Sequence, residues 1–354
     1  MMKKNTTVNE ISDSEKTILG VIGSLESNSS DPETSEYIIN EKLRVMPNSE
    51  GIMKFGVSRI KDFVDVFESS LSSLVTKELL FSKNRLYSLT DQGKEISKVI
   101  RKQWFIDFYN DGLIRSAESQ AHAIFCEKVF GKNLCQYNVL DMEQLETMLK
   151  KLNLQPEQLV LDIGCGLGKI TEYIAEQTGA SIIGIDNAAK VVEWAQENTK
   201  IDRRKLEFQE GDLNNLQFPK EEFDAIISID TLYYAEDFEQ VINKLNEILK
   251  PNGQMGIFYA QSRSPEESIE TIDPENTKVG TALTKNNLPF TTIDFTENGR
   301  GVWIRELATA QELEEMFKDE GNQDLCNERI EQSKDLIQRI DKQLEKRYFF
   351  HVQK

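Results

Sequence analysis

The chain contains little of what often identifies a function. It has two histidines and four cysteines, and none of them shows the spacing of a metal site. No run approaches the roughly 18 apolar residues of a membrane-spanning helix, and no apolar stretch follows the first residues, so we expect no signal peptide and no membrane association. An excess of positive charge is absent too: 60 acidic residues outnumber 42 lysines and arginines, the net charge is −18, and an acidic field opposes nucleic-acid binding. These absences predict a cytoplasmic protein without a metal ion or a nucleic-acid partner.

The most informative stretch that is present is a glycine-rich turn. An apolar run ends at Asp162, and Gly164, Gly166 and Gly168 then alternate with other residues ahead of a helical pattern. This predicts a buried strand that reverses into a helix, whose free N–H groups and glycine backbone let a ligand approach closely. A dinucleotide fingerprint needs a glycine where Lys169 stands, and a P-loop needs a hydroxyl residue where the chain has isoleucine. Both of those sites are disfavoured.

Further acidic residues follow the next two predicted strands. Asp186 and Asn187 end the second strand of this region, and Asp212 and Leu213 come directly after the third. Together with the turn that begins at Asp162, their order resembles class I S-adenosylmethionine-dependent methyltransferases of the small-molecule type.

The resemblance covers roughly residues 159–260 and implies a fold, a cofactor and roles for residues. The fold is α/β, a Rossmann-like, doubly wound, mostly parallel seven-stranded sheet. The cofactor is S-adenosylmethionine, with S-adenosylhomocysteine as product. Asp162, the three glycines of the turn and Asn187 would contact it. Asp186 would accept hydrogen bonds from both ribose hydroxyls, and Asp212 would accept one from the adenine amine. Leu213, with Ala188, would pack on the adenine ring.

Upstream of this region, the sequence predicts three parts. Residues 1–12 read as a disordered lead. Residues 13–103 carry helices, including a short one at 35–43, and a hairpin at 79–89, a series that resembles a small, mainly helical winged-helix domain. Its acidic and basic residues roughly cancel, so we expect homodimer formation or pocket closure there, with DNA binding as the weaker alternative. Residues 104–150 predict a helical connector and lid, in which Glu118 and His122 share one helix face.

Residues 151–354 predict the cofactor domain, with a lid insert at about 262–310. Strands and helices alternate through most of it, which calls for a parallel sheet covered on both faces. The predicted strands are Leu159–Ile163, Ser181–Ile185, Leu206–Gln209, Phe223–Ile229, Gly253–Ala260, Phe290–Thr296, Gly301–Ile304 and Arg347–Val352.

The acceptor is expected beyond the carboxyl end of the fourth strand, where Asp230 to Tyr233 lie. We expect Tyr233, as the first candidate, to shape the acceptor pocket or contact a small-molecule acceptor, and Asp230 is the second candidate. The expected reaction is N- or O-methylation. His122 is the candidate for an imidazole base, although a lone helix histidine is more often structural. Two alternatives stay open: a methyltransferase acting on protein or RNA, and a DNA-binding regulator that senses S-adenosylmethionine.

Overall fold

A computed structural model describes residues 6–27, 34–35, 39 and 60–354, without the side chains of residues 26–27, 34–35, 60–66 and 105. The chain divides into two compact units, Met1–Tyr109 and Asn110–Lys354. The division follows Tyr109 instead of the predicted residue 103, so the predicted connector belongs mainly to the second unit.

The first unit contains helices and one small antiparallel sheet. The elements are α1 (Asp13–Ser27), β1 (Thr34–Ser35), α2 (Ile60–Thr76), β2 (Leu80–Lys83), β3 (Leu86–Leu89) and the start of α3 (Asp91–Glu118). The strands lie in the order β1-β3-β2, and the β2–β3 hairpin forms where the sequence predicts it. A mostly aliphatic core, with Ile18, Leu19 and Leu74 among its side chains, joins the helices to the hairpin. A winged-helix identity stays a prediction.

Two expectations for the N-terminal region need correction. Part of the lead is ordered: residues 8–10 form a single helical turn, and Ile11 is buried in the core of the first unit. The last helix of this region does not end near residue 102 but continues to Glu118, because no proline and only one glycine interrupt it after Lys94. The short helix expected at 35–43 lies almost entirely outside the described residues.

The second unit is built on one seven-stranded sheet. The elements are α4 (Gln120–Phe130), α5 (Met142–Leu152), β4 (Leu159–Ile163), α6 (Lys169–Thr178), β5 (Ser181–Asp186), α7 (Ala189–Asn198), β6 (Leu206–Glu210), β7 (Phe223–Ile229), α8 (Phe238–Ile248), β8 (Leu249–Ser262), α9 (Lys278–Lys285), β9 (Phe290–Asp294), α10 (Thr296–Glu312), α11 (Glu314–Asp319), α12 (Gln323–Asp341) and β10 (Glu345–Gln353). The strands lie in the order β6-β5-β4-β7-β8-β10-β9. Strands β4 to β8 run parallel, and β10 is antiparallel to both of its neighbours.

Helices cover both faces of this sheet. One face packs against α8 and α9, and the other against α5, α6 and α7. Helices α4, α10, α11 and α12 share a separate apolar cluster around Phe125 and Phe317. The predicted doubly wound, mostly parallel sheet is therefore confirmed.

Two predictions within the second unit are wrong. Residues 301–304 are not a strand but part of α10, where Gly299, Val302, Trp303 and Glu306 are buried at helical spacing. Glu118 and His122 do not share a helix, because α3 ends at Glu118 and Ser119 caps α4 by accepting a hydrogen bond from the His122 N–H at 3.0 Å. The insert at about 262–310 is also more than a lid, since β9 forms the edge of the sheet.

Candidate cofactor and acceptor site

Most of the predicted site residues lie at the carboxyl edge of the parallel strands, whereas His122 lies in a separate layer of helices. Gly164 follows β4, Asp186 ends β5, Asp212 follows β6 and Asp230 follows β7. The chain moves outward from β4 to β6 and then returns to β7 on the other side of β4. This reversal is the switch point at which open α/β sheets bind ligands.

The three glycines of the turn have left-handed backbones, with φ of +75°, +52° and +71°, but different surroundings. A Cβ at Gly164 would lie 2.2 Å from Thr231 Oγ1, and one at Gly168 would lie 2.3 Å from Phe208 Cζ. At Gly166 the only heavy atom within 4 Å of such a Cβ, among those described, is Leu113 Cδ1 at 3.9 Å. Packing therefore requires two of the glycines, whereas the third lies beside open space that a ligand can enter.

Asp186 ties the glycine turn to the end of β5. Its Oδ2 accepts a hydrogen bond from the Gly166 N–H at 3.0 Å, and its Oδ1 accepts one from the Ala188 N–H at 3.0 Å. Burial raises the pKa of this carboxyl above its ordinary value, against the lowering effect of these N–H donors. Asn187, the next residue, is exposed at the same edge. The carboxylate keeps lone pairs for further donors.

Asp162 lies beneath the turn and does not face solvent. It is 3% exposed, and its Oδ2 accepts a hydrogen bond from Thr171 Oγ1 of α6 at 2.6 Å. Burial raises its pKa to about 6, although the Thr171 hydroxyl acts in the opposite direction. This carboxyl fixes the start of α6 under the glycine turn.

The segment after β6 is organised by a short helical turn. Asp212 caps it, with Oδ1 accepting from the Asn214 N–H at 3.0 Å. Asn214 also donates to the Tyr234 carbonyl at 3.0 Å, which ties this segment to the residues after β7. Leu213 and Ala188 are 8% and 0% exposed, so in this conformation they offer an adenine ring little surface.

Tyr233 and Asp230, the two acceptor-side candidates, are joined by a hydrogen bond. The Tyr233 hydroxyl donates to Asp230 Oδ1 at 3.1 Å and accepts from the Ala260 N–H at 2.8 Å. Although Tyr233 is 41% exposed, its hydroxyl is enclosed, and burial followed by the Asp230 charge holds the phenol pKa well above its usual range. The ring lies 4.8 Å from that of Tyr259.

The sequence analysis missed Arg347, the partner of Asp230. Its Nη1 and Nη2 donate to both carboxylate oxygens at 2.6 and 2.9 Å, and its Nε donates to Gln144 Oε1 at 2.8 Å. One signal was available: Arg347 begins an otherwise apolar stretch of the last strand, and arginines at such positions are rarely buried without a charged partner.

His122 lies in the helical layer around Phe125. It is 3% exposed, its Nε2 is 3.3 Å from Cys126 Sγ, and its ring stacks on Phe125 at 6.0 Å. Burial, followed by the positive charge of Arg329, lowers its pKa to about 3. An imidazole of that basicity is a poor proton acceptor at neutral pH. A role as base stays a prediction, and these surroundings favour a structural role.

The described part of the chain carries few other features that suggest chemistry. Its four cysteines are free, and the described side chains include no cluster of three potential metal ligands. No described helix combines the length and apolar character needed to cross a bilayer.

Comparison with known proteins identifies the region that contains this site. Residues 161–257 match the family model described as a methyltransferase domain. Phosphoethanolamine N-methyltransferase 1 of Arabidopsis thaliana is 32% identical over 139 residues, which are 39% of this chain and 28% of that protein. Sterol 24-C-methyltransferase of Yarrowia lipolytica is 33% identical over 110 residues, or 30% of this chain and 29% of that protein. The chain thus spans less than a third of the length of these relatives.

Solved structures show the same fold. Haemonchus contortus phosphoethanolamine N-methyltransferase 2, bound to phosphomonomethylethanolamine and S-adenosylhomocysteine, aligns with a TM-score of 0.55 at 18% identity, covering 70% of this chain and 60% of that chain. A cyclopropane synthase from Mycobacterium tuberculosis aligns with a TM-score of 0.56 at 14% identity, covering 70% and 98%. The methyltransferase domain expected from the glycine turn is confirmed over residues 161–257.

Proposed function

We propose that this chain transfers the methyl group of S-adenosylmethionine to a nitrogen or oxygen atom of a small-molecule acceptor. The observation that carries the proposal is Gly166. Its N–H is bonded to Asp186 while the space beside it stays open, within a region that matches a methyltransferase domain. A ligand at this switch point would contact the turn and the carboxylate together.

The residues at this edge fit the cofactor. When bound, S-adenosylmethionine supplies a methyl group activated by its sulfonium. Asp186 retains acceptor capacity for two ribose hydroxyls, and Asn187 lies exposed beside it. Asp212 and Leu213 lie at the end of the neighbouring strand, where we place the adenine. Leu113 Cδ1 lies at the border of the open space beside Gly166, 3.9 Å from the position that a Cβ there would take, and would help to exclude water from the methyl group.

On the acceptor side, the described residues are suited to orienting the acceptor molecule and not to removing a proton from it. Asp230 is committed to Arg347, and the Tyr233 hydroxyl is committed to Asp230 and Ala260. Catalysis then depends on positioning, which by itself can supply several kcal/mol of a transfer barrier. An amine that is already neutral suits such a site, because its lone pair attacks without prior proton removal. The names of two relatives support small acceptors, and phosphoethanolamine is the first to test.

Titration calorimetry with S-adenosylhomocysteine tests the cofactor assignment. We expect the wild type to bind it and Asp186→Ala to bind about ten- to a hundredfold more weakly, the usual loss for hydrogen bonds to a charged group. The control is Asp202→Ala, which removes an exposed carboxylate paired with Arg204 and should bind like the wild type. Equal affinity in all three proteins would refute the ribose assignment.

Turnover tests the reaction itself. S-adenosylhomocysteine release is measured with phosphoethanolamine and then with other small amines and alcohols. Release that depends on the added acceptor supports the proposal. Methylation of proteins or RNA alone, with no small acceptor, would favour one of the two alternatives, neither of which the comparisons support. Homodimer formation through the first unit and a cytoplasmic location also stay predictions; sedimentation of the full chain tests the former.

A further inference from the structure

A buried ion pair lies directly behind the acceptor-side tyrosine. The guanidinium of Arg347 donates to both oxygens of Asp230, and Asp230 Oδ1 also accepts the Tyr233 hydroxyl. The Asp230 carboxylate thus connects β10, the last strand along the chain, to the Tyr233 ring at the acceptor edge. The side chains of Arg347 and Asp230 are 6% and 12% exposed. A pair this buried is retained at a cost in desolvation, which only good geometry offsets.

The pair of Arg347 and Asp230 has the good geometry that offsets this cost. Two parallel N–H···O bonds give the forked arrangement that fixes the direction of a carboxylate as well as its position. On its other side the guanidinium donates to Gln144, and it lies 5.2 Å from the centre of the Phe258 ring. Gln144 is itself fixed, because its amide nitrogen donates to the Val139 carbonyl at 2.8 Å. The arginine therefore has a single defined position.

The hydroxyl of Tyr233 anchors the side chain, and its ring stays accessible to a ligand. The hydroxyl donates to Asp230 and accepts from Ala260, while 41% of Tyr233 stays exposed. Asp230 adopts a left-handed backbone, φ +55°, which is uncommon outside glycine and is often found where structure serves function. An aromatic face held in this way suits an apolar or cationic group.

We propose that Arg347 is a positioning residue, which acts through Asp230 to hold the Tyr233 ring at the acceptor edge. The inference rests on the proposed function only in taking this edge as the acceptor side. It makes the last strand, far from the cofactor turn in sequence, a part of the acceptor site.

Fluorine NMR of the full chain labelled with 3-fluorotyrosine tests the connection. The chain has nine tyrosines, so the signal that disappears in Tyr233→Phe belongs to Tyr233. We expect this signal to shift and broaden in Arg347→Met, because Asp230 loses its fixed direction. Arg347→Lys keeps the charge beside Asp230 but not the fork, so the same signal should shift less. Arg300→Met, which breaks an exposed link to Asp341, should leave it unchanged.

S-adenosylhomocysteine titrations of the same samples separate this inference from the proposed function. Unchanged affinity in a folded Arg347 variant, together with a displaced Tyr233 signal, supports positioning on the acceptor side. If Arg347→Met does not fold, Arg347→Lys decides. A wild-type Tyr233 signal in every folded Arg347 variant overturns the inference, whatever the titration shows. Failure of the wild type to bind S-adenosylhomocysteine would instead refute the proposed function and leave the NMR comparison valid.

Discussion

Single residues in the glycine turn differ in what they do, although all three glycines look alike in sequence. The positions of Gly164 and Gly168 are filled on the side where a Cβ would point, by Thr231 and Phe208. The position of Gly166 is open, and its N–H binds the carboxylate of Asp186. Two of the glycines are therefore required by packing, and the proposed function assigns the third to the ligand.

Alanine at two of these positions makes the difference measurable. Gly166→Ala places a side chain in a left-handed backbone, which costs about 1–2 kcal/mol, and fills the space where the cofactor is expected. Gly168→Ala has the same backbone cost and adds a clash with Phe208, typically about 1–3 kcal/mol more. We expect Gly168→Ala to be the less stable in urea unfolding, and Gly166→Ala to lose S-adenosylhomocysteine binding despite its smaller stability loss. Normal binding by Gly166→Ala would contradict this assignment.

How far the sequence predicts the site depends on how local each contact is. The turn, Asp186 and Asp212 belong to short segments whose order along the chain already places them at one sheet edge. The pair of Asp230 with Arg347 spans 117 positions, and no local pattern encodes such a partner. The sequence also does not show which side chains are exposed to solvent. His122 is therefore a candidate base on the sequence alone, although its ring is buried beside Arg329.

Among the elements, those with one clear apolar pattern were predicted well and those with mixed signals were not. Strands β4 and β7 have the predicted bounds, because short runs made mostly of apolar residues are typical of strands buried on both faces. Residues 301–304 contain Val302, Trp303 and Ile304, which favour strands locally. Packing overrides that preference, since the buried face of α10 repeats with a helical period.

The contact between helices α10 and α12 encloses a carboxyl group that the fold does not fully satisfy. Glu306 on α10 is completely buried, and its nearest cation, Arg329 Nη1 on α12, is 3.8 Å away. Neither carboxylate oxygen accepts a hydrogen bond from the described residues. Burial raises the pKa of Glu306 to about 7, against the lowering effect of Arg329. The fold therefore favours the protonated form.

The buried Glu306 carboxyl predicts that the stability of the fold decreases as pH rises. In the unfolded chain Glu306 titrates near 4.5 and in the folded chain near 7, so between these values only the unfolded state gives up its proton. Its contribution is full below about pH 4.5 and is lost by about pH 7, a change of about 3 kcal/mol at most. Urea unfolding of the wild type and Glu306→Gln at pH 5 and pH 8 checks it. The variant should gain stability relative to the wild type at pH 8, and a pH-independent difference would contradict the argument.

At the scale of the whole molecule, the topology was predictable because chain order alone restricts it. Alternating strands and helices leave few arrangements besides a parallel sheet with right-handed crossovers. The boundary between the two units was not predictable from the sequence, because α3 continues across it with no break in its helical pattern. A composition shift would have marked a flexible linker, whereas a continuous helix carries no such mark.

The net charge of the whole molecule bears on the choice between an enzyme and a DNA-binding regulator. A net charge of −18 repels a phosphate backbone, and the counterion release that drives binding to this backbone depends on lysines and arginines. We therefore expect no sequence-selective complex in an electrophoretic shift with genomic fragments at about 150 mM salt, with or without S-adenosylmethionine. Weak binding that vanishes between low and moderate salt is consistent with this expectation. A selective complex that survives the salt and responds to S-adenosylmethionine would demote the methyl-transfer proposal in favour of sensing.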